Sequence, residues 1–276
     1  MASRTRTDDY GAPLPPKVLV EYKDSDDILA DVVAIHGFGA HPTDAWTFEG
    51  EGKNTNWLTD ETMLPAACPK VRILNFSYDS MQMGDNPARG SIPNLAMKLL
   101  SGLVEKRREC QTRPIIFAYM IAMMHTSDYP FIYDSITGFL SLGTPYKGFS
   151  SAKSLKQMYA EIVLAQMRTE SNLGSSLAED NDMLVGIVYD FARKINTRTS
   201  PPVVFCFFEE RLTKFGAIAG VETDLEFVVN ESSGTLNGHP KAGLSLGHFE
   251  MNKFEDSEDC HYQSVSYEIK NMVPYQ

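Results

Sequence analysis

The stretch Val32-Val33-Ala34-Ile35-His36-Gly37-Phe38-Gly39 decides the fold. Four consecutive apolar residues put apolar side chains on both faces of an extended strand, because successive side chains point to opposite sides. A strand apolar on both faces belongs inside a sheet covered on both sides, the usual setting of parallel strands. Its exit into a glycine-bearing turn marks a change of element. Working outward, the runs Val18–Tyr22, Asp31–Ile35, Val71–Phe76, Pro114–Phe117, Ile136–Leu142, Val203–Phe208 and Leu225–Val229 read as further strands. Longer helical stretches separate them, at Leu95–Cys110, in pieces of Ser151–Ile195, and at Asp259–Met272, where Val265, Ile269 and Met272 fall at helical spacing. Alternation of this kind predicts an α/β chain with a mostly parallel central sheet and helices on both faces.

A chain of 276 residues supports one large core. Residues 1–16, polar and then rich in proline, read as a disordered lead-in without the apolar segment of a secretory signal. Residues 17–276 read as a single domain with a helical insertion around 149–200. Within it Met158, Ile162, Val163 and Met167 form an apolar stripe, suited to an ordinary helical layer or to a lid over the strand ends. The net charge of −11 argues against a nucleic-acid partner, which needs clustered Lys and Arg. No apolar run has the length of a membrane-spanning helix. Cys68, Cys110, Cys206 and Cys260 show no metal-binding or disulfide spacing, so reduced, mostly buried thiols are expected, and with them a place inside the cell, by default the cytoplasm. The run Glu255-Asp256-Ser257-Glu258-Asp259 reads as a helix start with Ser257 as the cap.

Several segments carry a resemblance when taken in order: Ile35–Pro42 with Trp46, Asn56-Trp57-Leu58, Leu64-Pro65, Arg72–Tyr78, Arg113–Phe117, Leu142–Gly148 and Gly247–Phe254. Together they resemble the serine-esterase or lipase-like group of the α/β-hydrolase superfamily, described as serine-active-site-containing proteins. The resemblance spans almost the whole chain from the second strand onward. It implies the α/β-hydrolase fold, hydrolysis of carboxylic, lipid-like acyl esters, and no metal or organic cofactor.

Acyl transfer of this kind needs a nucleophile, a base, an acid to orient the base, and amide donors for the oxyanion. The His-Gly-x-Gly loop after a strand offers backbone N–H groups, with the amides of Phe38 and Gly37 as oxyanion donors; otherwise it is a glycine-rich turn. The resemblance places the base at His248, just before the last helix. The acid should follow the strand Val203–Phe208, which selects Glu209, with Glu210 or Glu231 as alternatives.

The nucleophile is the missing part. After Pro114–Phe117 the chain reads Ala118-Tyr119-Met120-Ile121-Ala122-Met123-Met124, without the Gly-x-Ser-x-Gly turn that a nucleophilic serine requires. Two serines remain as candidates. Ser127 lies in the polar turn His125–Asp128, and Ser245 in Gly243-Leu244-Ser245-Leu246-Gly247, which matches the pattern but sits in the histidine loop. The readings left open are an active serine esterase, a catalytically silent module binding an acyl or lipid-like ligand or a protein partner, and a shortened form of an active enzyme.

Overall fold

The computed structural model describes residues 16–23, 27–37, 40–78, 92–117, 129–149, 182–214 and 222–274. Residues 1–15 of the expected lead-in, most of the insertion and Ser127 fall outside them. The elements in chain order are β1 (Lys17–Lys23), β2 (Ala30–Ile35), β3 (Thr47–Glu49), β4 (Asn54–Asn56), α1 (Leu64–Ala67), β5 (Val71–Ser77), α2 (Ile92–Lys106), β6 (Ile115–Phe117) and α3 (Pro130–Ser135). They continue with β7 (Ile136–Leu142), α4 (Asp182–Asn196), β8 (Val203–Glu209), β9 (Thr213–Lys214), β10 (Leu225–Glu226), α5 (Glu231–Gly234), β11 (Lys241–Leu244) and α6 (Cys260–Met272).

Seven strands form one sheet in the order β1-β5-β2-β6-β7-β8-β11. All neighbours pair in parallel except β1, which runs antiparallel to β5 at the edge. The opening stretch explains the layers. Val32 and Ala34 pack on one face with Tyr262, Val265, Ile269 and Met272 of α6. Val33 and Ile35 pack on the other with Leu99, Leu100 and Leu103 of α2 and Phe191 and Ile195 of α4. Consecutive residues of one strand thus enter two separate cores, as the apolar run requires.

Two expectations need correction. Leu225–Val229 is not a strand of the main sheet. Only Leu225–Glu226 is extended, and it pairs with β9 in a separate two-stranded ribbon. The sheet's last strand is β11, in register with Cys206–Glu209 of β8. Ser257 does not cap α6. Asp259 does, its carboxylate accepting from the N–H groups of His261 and Tyr262, because it stands directly before the first helical residue. Among the thiols, Cys68 and Cys206 are buried, Cys110 is half-buried and Cys260 exposed, and all four are free. Burial pushes the Cys68 thiol up to about 11.

Candidate functional site

The C-terminal ends of parallel strands lie along one edge of the sheet, where open α/β sheets bind their ligands. Here that edge gathers His36-Gly37 after β2, Tyr78 after β5, Gly143 after β7, Glu209 ending β8 and His248 beyond β11.

Glu209 and Glu210 are neighbours with opposite fates, since adjacent strand residues face opposite ways. The Glu209 side chain is fully buried and its Oε2 stands 3.1 Å from Nδ1 of His248. Its Oε1 accepts the N–H of Val229 at 2.7 Å. The Oε2 and Nδ1 atoms are buried and have no other hydrogen-bond partner among the described residues. Their contact is close and lies off the line of an ideal hydrogen bond. Glu210, by contrast, is exposed and accepts the hydroxyl of Ser245 at 2.8 Å. Glu231 forms a surface ion pair with Lys241 at 2.8 Å. Of the three carboxylates considered, only Glu209 meets His248.

The base candidate is held from several sides. Its own N–H donates to Thr213 Oγ1 at 2.8 Å. Trp57, fully buried, donates its indole N–H to the carbonyl of Asn252 at 2.9 Å, tying the histidine loop to the core. Gly143, at φ +60°, lies under the imidazole: a Cβ there would stand 3.1 Å from both Nδ1 and Cε1. Only glycine allows both that dihedral and that approach.

His36 is fully buried and stacks on Tyr78 with ring centroids 4.1 Å apart. Tyr78 donates its hydroxyl to the His36 carbonyl at 2.7 Å and its N–H to His36 Nε2 at 3.4 Å. Nε2 therefore accepts, and Nδ1 carries the proton facing the Gly37 carbonyl at 3.0 Å. The ring thus joins the loops after β2 and β5. Desolvation by burial, aided by the charge of His41, lowers its pKa from 6.5 to about 4. The unfolded chain therefore takes up the proton first as the pH falls. Stability is expected to be full above about 6.5, to decline between 6.5 and 4, and to level off below. At about 1.4 kcal/mol per pH unit the gap amounts to about 3 kcal/mol. Urea midpoints at neutral pH and at pH 4 check this, and a His36→Gln chain should lose that part of the pH dependence.

Gly37 lies two residues past the end of β2, while Phe38, the other oxyanion candidate, lies outside the described residues. Among the described residues no group of His, Cys, Asp and Glu could hold a metal ion, and no helix is long and apolar enough to cross a membrane. Sequence reasoning missed Thr213 and Val229. Neither carries a motif, and each acts through a contact that only the folded chain reveals.

No family model matches this chain, and no curated protein matches it in sequence. Among solved structures it is similar to lipase BlEst2 of Bacillus licheniformis. With the mature form the identity is 13%, covering 95% of this chain and 100% of that one, at a TM-score of 0.54. With the propeptide form the identity is 14%, covering 95% of this chain and 55% of that one, at a TM-score of 0.57. At such identity the likeness speaks to fold alone: the chain has the α/β-hydrolase fold, built on a mostly parallel seven-stranded sheet.

Proposed function

We propose that this chain hydrolyses carboxylic esters with lipid-like acyl groups, with His248 as base and Glu209 as the acid that orients it. The observation carrying this reading is the buried 3.1 Å approach of Glu209 to His248 Nδ1 at the C-terminal edge of the sheet. A carboxylate beside Nδ1 favours the tautomer that carries its proton there, which leaves Nε2 as the acceptor for a serine hydroxyl proton. The serine oxygen attacks the ester carbonyl, and the amides of Gly37 and Phe38 stabilise the oxyanion. The proton on Nε2 then passes to the leaving alcohol, and water repeats the cycle to free the acid. The buried setting of Glu209 favours this role, because a carboxylate shielded from water interacts more strongly with an imidazolium. A place inside the cell accords with the four free thiols.

One observation favours a second reading, a silent module that binds an acyl ligand or a protein partner without turnover. No Gly-x-Ser-x-Gly separates β6 from β7, and the hydroxyl of Ser245 is engaged by Glu210 rather than by His248. A shortened form of an active enzyme would share that gap. Labelling the purified, folded protein with a fluorophosphonate separates these. A serine oxygen that displaces fluoride from phosphorus, mapped to one peptide and absent when the protein is heat-denatured before the probe is added, is the expected result and names the nucleophile. Folded protein with no adduct sinks the esterase reading and leaves the silent module or the shortened form.

A further inference from the structure

Past the end of the β8–β11 pairing, the two chains stay side by side. The Glu210 N–H donates to Leu244 O at 3.0 Å, and the Arg211 N–H to Leu246 O at 3.2 Å. At the next step a side chain takes over, and Thr213 Oγ1 accepts the His248 N–H at 2.8 Å. Thr213 is 8% exposed, and the chain crosses its hydroxyl so closely that a Cβ on Gly247 would stand 2.7 Å from the oxygen. Thr213 also opens β9, where it pairs with Glu226 of β10. Shortly after β10 comes Val229, whose N–H holds Oε1 of Glu209. One two-stranded ribbon therefore grips the backbone of the base on its first strand and, just past its second, the carboxylate of the acid.

We propose that Thr213 is a positioning residue: its hydroxyl fixes the His248 backbone so that the imidazole meets Glu209. This rests on the reading of Glu209 and His248 as an acid–base pair. The contact between them has few other supports, since neither Oε2 nor Nδ1 has another hydrogen-bond partner among the described residues. A shift of the histidine backbone by about 1 Å would open the pair, and misplacements of that size cost roughly 100-fold in rate where chemistry depends on them.

Thr213→Val keeps the shape and removes the acceptor, whereas Thr213→Ser keeps the acceptor. The readout is the Nδ1 proton of His248, followed by ¹⁵N–¹H NMR in the full chain, with Glu209→Gln as reference. In the wild type this proton is expected to exchange slowly with water, and in Glu209→Gln rapidly. In Thr213→Val it should exchange rapidly, with fluorophosphonate labelling slowed about 10- to 100-fold, and in Thr213→Ser both should return towards wild type. A slowly exchanging proton in Thr213→Val overturns the inference and leaves the acid–base pair standing. Rapid exchange in the wild type, or slow exchange in Glu209→Gln, overturns the pair and the inference with it. Should Thr213→Val not fold, Thr213→Ala removes the same acceptor without the branched side chain and is judged by the same resonance.

Discussion

Replacing Asp31 by asparagine is expected to destabilise the fold by about 3–5 kcal/mol, the range for breaking a buried ion pair from one side. Asp31 sits near the start of β2 with its side chain fully buried. Arg72 grips it with two bonds, Nε to Oδ1 at 2.8 Å and Nη2 to Oδ2 at 2.9 Å. Arg107, itself fully buried, also donates to Oδ2, and Arg113 approaches Oδ1 at 3.3 Å. One carboxylate thus answers three guanidinium groups at the N-terminal edge of the sheet. Asparagine keeps the shape but removes the charge, leaving Arg107 without its ionic partner in a place that water cannot reach. Arg107 also donates to the carbonyls of Gln111 and Arg113, so its displacement would loosen the entry to β6. Urea unfolding of the variant checks the magnitude. A loss below 1 kcal/mol would mean that these carbonyl bonds, rather than the carboxylate, hold the arginines.

That cluster was not legible in the sequence, and the reason is physical. Asp31 lies 41 residues from Arg72 and 76 from Arg107 and shares no pattern with them; the parallel order of β2, β5 and β6 brings Asp31 and Arg72 together with the turn between α2 and β6 that carries Arg107 and Arg113. The sheet interior was legible because it obeys a local rule. Runs such as Val32–Ile35 and Ile115–Phe117 are apolar on both faces, and that constraint is written residue by residue. β11 escaped notice because Lys241-Ala242-Gly243-Leu244 has weak strand propensity, and its extension is imposed by pairing with β8. Leu225–Val229 misled for the opposite reason. Its β-branched composition suits a strand, yet Val228 and Val229 are buried just before α5, and the Val229 amide is given to Glu209. At the site, strand placement pointed to Glu209 over Glu210, and burial explains why the two differ. Two supports of the pair, the Thr213 hydroxyl and the Val229 amide, were silent in the sequence, since neither means anything until its neighbours are known.

His248→Ala is expected to produce the largest change in activity. Where a histidine base acts with a serine nucleophile, its removal leaves only binding and the oxyanion donors, and turnover falls by about 10⁶-fold. Glu209→Gln should cost less, about 10⁴-fold, because the glutamine oxygen can still accept the Val229 N–H while the negative charge opposite Nδ1 is lost. Neither change should unfold the protein. His248 keeps part of its side chain exposed, and the Thr213 bond is made by its backbone, which alanine retains. The order of the two effects is the decisive part, since a merely structural pair would respond to both changes in Tm and to neither in rate. Hydrolysis of a short-chain p-nitrophenyl ester and the rate of fluorophosphonate labelling measure it. Equal activity in wild type and His248→Ala would assign any turnover to another residue and remove His248 from the chemistry. A steep fall in both rates with Tm unchanged would place the proton transfer at His248 and narrow the search for the nucleophile to hydroxyls that can reach its Nε2.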